Sequence, residues 1–97
     1  MIVRFHRLAS RELRDAHAWY RQRDAVVAAR YLTAFDDAIA RVTTDPDSHP
    51  VERGHFRWVR VRRFPYRVIF ERHGSDTIFI VALAHSRRRP GYWIRRR

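Results

Sequence analysis

The residues with the greatest capacity for chemistry gather near the C-terminus, where His85 is followed within eight positions by Arg87, Arg88, Arg89, Tyr92 and Trp93. A guanidinium holds phosphate or carboxylate through two parallel N–H donors and stays charged at any accessible pH. Aromatic rings stack on bases or cover apolar surface. His85, with an unperturbed pKa of about 6.5, is the group in this stretch that exchanges a proton near neutrality. All 21 residues counted as Lys or Arg are arginine, so no ammonium exists to be tuned into a base. Against 10 acidic residues they leave a formal net charge of +11, which predicts attraction to phosphates or to an acidic protein. Cysteine is absent, which excludes a disulfide framework and a thiolate zinc site. His49, Glu52 and His55 have a spacing that matches no familiar ligand pattern, so neither a metal nor a cofactor is expected.

The elements that must position these groups are two runs upstream of the tail. Tyr66, Val68 and Phe70 alternate with Arg67, Ile69 and Glu71, the period of a strand with one buried face. His73-Gly74-Ser75-Asp76 supplies a turn, and Ile78 to Ala84, apolar throughout and too short for a helix, reads as a central strand covered on both faces. A further strand precedes them, with Phe56 and Trp58 on one side and Val59 and Val61 alternating with Arg57, Arg60 and Arg62. Pro65 closes it, since proline donates no ladder hydrogen bond.

At the N-terminus, Ile2, Val3 and Phe5 make a short strand. Ser10 as N-cap and Glu12 in the first turn open a helix over about residues 10 to 22, with Ala9, Leu13, Ala16 and Tyr20 at helical spacing. Asp24 caps a second helix with the apolar stripe Ala28, Leu32, Phe35, Ile39 and Val42, ended by Asp45-Pro46 and Pro50. Leu32, Phe35 and Ile39 are expected to face Val68, Phe70 or Ile80. The order strand, helix, helix, strand, strand, strand defines a two-layer α+β sandwich, a helical hairpin on an antiparallel sheet. One domain over residues 1–97 is expected, with a basic tail from about residue 86 and Arg95, Arg96 and Arg97 solvated. The longest apolar run is seven residues, too short for a membrane span, and a cytoplasmic location is expected.

The element order, the PYRVIF strand and the HSRRRPGYW tail resemble the RelE/ParE superfamily, toxins of bacterial type II toxin-antitoxin systems, across essentially the whole chain. The resemblance implies a sheet in which the first strand lies beside the last, order 1-4-3-2. It implies a small acidic cognate antitoxin as partner. From its pattern alone Arg67 is an ordinary solvent-facing strand cation. The resemblance matches it to the Arg of the mRNA-cleaving branch, matches Arg60 to a basic residue that is usually Lys, and matches Tyr92, with Arg87 or Arg88, to tail residues. His85 matches a histidine shared by many ParE-like members.

Two functions follow from the resemblance. The first is metal-independent, ribosome-dependent mRNA cleavage by attack of the 2′-hydroxyl on phosphorus, with Arg67 stabilising charge on the phosphoryl oxygens, His85 replacing the missing lysine as base, and Arg60 and Tyr92 completing the catalytic set. The second is non-enzymatic poisoning of DNA gyrase through contact. Arg57, Arg62, Arg87, Arg88, Arg89 and Trp93 are the candidates for binding nucleic acid or a protein target. A third reading is a non-toxic nucleic-acid-binding domain on the same fold.

Overall fold

The computed structural model describes residues 1–96. A first strand β1 (Ile2–Phe5) leads into helices α1 (Arg7–Arg23) and α2 (Ala25–Thr44), and a 3-10 turn (Pro46–Ser48) precedes β2 (Val51–Arg53), β3 (Phe56–Val61), β4 (Tyr66–His73) and β5 (Thr77–His85). The expected α+β architecture is present, with the sheet in the order β1-β5-β4-β3-β2. Two details differ from expectation. A three-residue strand, β2, is added at the far edge, and β1 pairs with β5 in parallel, from Ile2 opposite Thr77 to Phe5 opposite Ile80. A parallel pair needs a long crossover, and the helical hairpin together with the hairpin strands provides it.

Helix boundaries follow from where side chains meet orphan N–H groups. The ring of His6, not Ser10, caps α1, its Nδ1 accepting from the Leu8 N–H at 3.0 Å, so the helix starts directly after β1. Asp24 acts as expected: its carboxylate accepts from Val26 and Val27 at 2.9 and 3.3 Å. Its own N–H donates to the Tyr20 carbonyl at 2.8 Å, so one residue closes α1 and opens α2. Asp37 and Arg41 pair four apart on α2 at 3.7 Å.

The buried row of α2 keeps Ala28, Phe35 and Val42 of the expected stripe and takes Tyr31 and Ala38 at its centre, while Leu32 and Ile39 are half-buried at its margin and still pack on the core. Tyr31 can lie at 0 % exposure because its hydroxyl donates to the Leu13 carbonyl at 3.2 Å. This layer closes on Val59, Val61, Val68, Phe70, Ile78, Ile80 and Leu83. Between Ile69 opposite Ala82 and Phe70 opposite Ile80 the ladder slips, leaving Val81 as an extra residue in β5. The bulge lets Val81, Ala82 and Ala84 join Ile69 in a second apolar cluster on the face away from the helices.

Phe35 is 4 % exposed and central to the layer contact. Phe35→Ala is expected to cost about 3 to 5 kcal/mol, and half-buried Leu32→Ala less, near about 2 kcal/mol, by denaturant unfolding. Equal losses at the two positions would place the contact on the stripe read from sequence.

Candidate functional site

β5 outruns its neighbour. β1 reaches only to Ile80, and the His6 N–H makes the last contact of this edge, donating to the Ile80 carbonyl at 2.9 Å. Beyond it the edge of β5 is served by side chains. Glu12 of α1 lies in the same helical row as buried Ala9 and Ala16, and its Oε1 accepts the Leu83 N–H at 3.1 Å. Arg96 donates to the Val81 carbonyl at 3.1 Å and to both Glu12 oxygens, at 2.8 and 2.9 Å. The Tyr92 hydroxyl donates to Glu12 at 2.6 Å and lies 3.5 Å from the Leu83 carbonyl. Arg88 reaches Glu12 at 3.3 Å and stacks over the Tyr92 ring at 3.7 Å. Burial, then the hydrogen bond to Glu12, pushes the Tyr92 phenol well above its ordinary range, so it remains a donor.

These contacts fix the tail, and Trp93 follows onto the second sheet face at 1 % exposure, edge-on to Phe56 at 4.9 Å. Trp93 is therefore a core residue and not an accessible target contact. Arg96 likewise is an anchor and not part of a solvated tail. Arg95 is exposed as expected, and the expectation for Arg97 lies outside the described residues.

The remaining candidates fall on different faces. Arg60 and Arg67 are direct cross-strand partners on the face away from the helices. Glu52 of β2 reaches over β3 and accepts both Nη groups of Arg67 at 2.9 and 3.0 Å, beside the Trp58 ring at 5.0 Å. His85 pairs with Tyr66 across the strands and faces the helices, while Arg67 is opposite Ala84 and faces away. The His85 ring meets Tyr66 edge-on at 5.1 Å and its Nδ1 accepts the Arg87 N–H at 3.0 Å. It opens on a groove of about 590 Å³ walled by Trp19, Tyr20 and Tyr66. Arg57 is tied to the His49 carbonyl at 2.6 Å, and Arg62 lies 3.6 Å from Asp37. Arg87 and Arg89 are exposed.

The sheet thus separates His85 from Arg67, and the expected base and phosphate ligand are not brought together. The carboxylate beside Arg67 is Glu52, with both oxygens engaged. Glu12 and Glu52, the two acids that organise the site, were not foreseen in these roles. The signal for Glu12 was an acid in register with Ala9 and Ala16. His49, Glu52 and His55 also diverge, toward the Arg41 carbonyl, Arg67 and Glu71. Among the described residues no helix is long and apolar enough to cross a membrane.

A helical hairpin on one face of a mixed sheet, with a basic tail latched across its edge, defines the fold class. The chain belongs to the ParE toxin family of type II toxin-antitoxin systems (parDE), whose family model matches residues 3–90, and so to the RelE/ParE superfamily. Tyr92, Trp93 and Arg96 lie beyond the matched segment. The fold is similar to that of a solved structure described as a chromosomal ParDE TA system from P. aeruginosa. That match has a TM-score of 0.74 and 17% identity, and covers 88% of this chain and 95% of the other. No curated protein matches the chain significantly in sequence.

Two outcomes follow from this geometry. Glu12→Ala leaves the Leu83 N–H and two arginines without their acceptor and is expected to cost about 2 to 4 kcal/mol, against less than about 0.5 for exposed Asp15→Ala. Limited trypsin digestion should then cut the tail first after Arg87 and Arg88, Pro90 shielding the bond after Arg89, and a tail as protected as the parent's would refute the latch. The second outcome concerns alkaline pH. Burial, then the neighbouring Tyr20, pushes the Tyr66 phenol up to about 12, and Tyr31 is raised by burial and by Tyr66. The unfolded phenol ionises near about 10, so the folded state keeps its proton longer. Its contribution to stability is therefore whole below about pH 10 and is lost as pH rises toward about 12. Melting temperature should fall across that window, and Tyr66→Phe should flatten the fall.

Proposed function

We propose that this chain is a toxin that acts by binding, with DNA gyrase as its target in the cytoplasm, and that a small acidic antitoxin neutralises it. The observation that carries this reading is the two-armed Glu52–Arg67 pair. The one arginine that family resemblance offers as a phosphate ligand is already held by a carboxylate, and the histidine offered as base lies across the sheet. Cleavage through the 2′-hydroxyl needs a base, an acid and a cation around one phosphorus. Tyr92, which the resemblance places in the catalytic set, has its proton committed to Glu12. Binding makes no such demand. It needs a rigid surface with unneutralised cations, and exposed Arg87 and Arg89 stand on a tail held from both sides. The net charge of +11 favours an acidic antitoxin that orders as it wraps the toxin.

The test is induction in cells with plasmid topology and mRNA integrity followed together. Altered topology should precede any fall in translation, and purified protein should inhibit supercoiling by gyrase. Arg67→Ala should remain as toxic as the parent, whereas Arg87→Glu with Arg89→Glu should weaken inhibition by about tenfold or more through charge reversal at the contact. Co-expression of the adjacent acidic gene product should restore growth. Cleaved mRNA with unchanged plasmid topology, abolished by Arg67→Ala, would overturn the reading in favour of ribosome-dependent cleavage.

A further inference from the structure

The outward side of α1 carries a charge pattern that the tail surface does not explain. Arg7, Arg11, Arg14 and Arg21 follow one another at steps of four, three and seven residues, so the helical period sets all four on one side of the helix. That side lies opposite the row of Ala9 and Ala16 that packs into the core, and all four arginines are exposed. Arg11 lies 3.8 Å from Asp15, with both side chains largely in solvent, a pairing that salt screens. Arg7, Arg14 and Arg21 meet no carboxylate among the described residues. From Arg7 to Arg21 the stripe runs about 21 Å at the helical rise of about 1.5 Å per residue. α2 has no counterpart, since its outward positions hold Val26, Thr33, Asp37 and Thr44. The stripe is thus a concentration of charge on one helix and not a reflection of the chain's basic composition.

We propose that the arginine side of α1 binds the phosphate backbone of duplex DNA. An amphipathic peptide docks by filling apolar pockets, and the stripe offers only Ala18 between Arg14 and Arg21. A single strand is held by bases stacked on open rings. The exposed ring of α1, Trp19, lies to one side of the stripe, where Arg23 covers a face of it at 3.7 Å and Tyr20 meets it edge-on at 5.1 Å. A duplex asks for neither pockets nor rings. It presents about one negative charge per 1.7 Å of its axis, fixed in position, to a row of guanidinium forks that hold phosphate oxygens in pairs. The B-form major groove, about 12 Å wide, admits a helix, whereas that of an RNA duplex is too narrow for side chains to enter. Phosphate contacts carry no sequence information, so binding is expected to be independent of sequence. This inference is independent of the gyrase reading, since the stripe lies on α1 and the proposed protein contact on the tail.

The experiment measures anisotropy of a short labelled DNA duplex titrated with the full chain across a salt series. Arg11→Gln with Arg14→Gln should weaken binding about tenfold or more at low salt and flatten the slope of log affinity against log salt by about two. Arg30→Gln with Arg63→Gln removes the same charge from exposed positions on α2 and after β3. That pair should leave the slope unchanged and the affinity within about threefold of the parent's. Gln matches Arg closely in helix propensity, so both pairs should keep the parent's circular dichroism and melting temperature. Should Arg11→Gln with Arg14→Gln fail to fold, Arg14→Gln and Arg21→Gln measured singly decide, each expected to flatten the slope by about one. An RNA duplex should bind about fivefold more weakly than the DNA. Equal losses from the two pairs would show a diffuse effect of charge and overturn the proposal, as would the RNA duplex bound as tightly as the DNA. Polyglutamate held as firmly as the duplex, and released by Arg11→Gln with Arg14→Gln, would also overturn it and assign this side of α1 to an acidic protein.

Discussion

β5 is the strand on which both layers rest, and its partner β1 is too short to pair with all of it. From Val81 onward the edge of this buried strand that faces away from β4 needs hydrogen-bond partners that no strand provides, and an unpaired buried N–H or carbonyl costs about 1 to 3 kcal/mol. Glu12 answers the Leu83 N–H from α1, and Arg96 answers the Val81 carbonyl from the tail. The carboxylate is tolerated at 14% side-chain exposure because Arg96, Arg88 and Tyr92 all donate to it. One side chain thereby joins the helical layer, the sheet edge and the tail. Trp93 is carried with the tail onto the second face, where it closes the apolar cluster around Ile69 and Val81.

This anchoring sorts the arginines. Arg96 and Arg88 serve Glu12, Arg67 serves Glu52, Arg72 pairs with Asp47 at 2.6 Å, and Arg41 donates to the Arg60 carbonyl at 2.6 Å. The large net charge is therefore not spread evenly over a sticky surface. It is displayed by residues such as Arg87 and Arg89, which the latch holds in place, and by Arg60 on the second face. A protein that works through contact benefits from that arrangement, because fixed cations give up less freedom on binding than mobile ones.

How much of the site was legible depends on whether a residue acts through its type or through its neighbours. Arg67 was marked by its place in Tyr66-Arg67-Val68, yet nothing in the chain announced that Glu52, fifteen positions earlier, would close on it. That pairing depends on β2 folding back along β3 with a slipped register. His85 and Arg67 were joined by the family resemblance, and they do lie at one end of the sheet, Arg67 at the start of β4 and His85 at the end of β5. The strand period places them on opposite faces, and the bulge at Val81 sets the face that His85 takes. Glu12 was legible in principle, since an acid three residues after Ala9 and four before Ala16 falls on the face that must be buried.

The sequence by itself determined the element order apart from β2, the Asp24 cap, the interior place of Ile78 to Ala84 in the sheet and the basic character of the surface. Each of these rests on local periodicity, on side-chain capping or on composition, and all three survive without knowledge of distant contacts. The tertiary structure alone decided that Tyr31 and Ala38 replace Leu32 and Ile39 at the centre of the α2 contact. A buried tyrosine needs an acceptor, and the Leu13 carbonyl lies on another helix. It alone decided, too, that Arg96 and Trp93 belong to the core rather than to a loose tail. Their burial depends on an open strand edge and an acid on α1 meeting in space, at sequence separations of 15 and 84 residues that no local pattern can report.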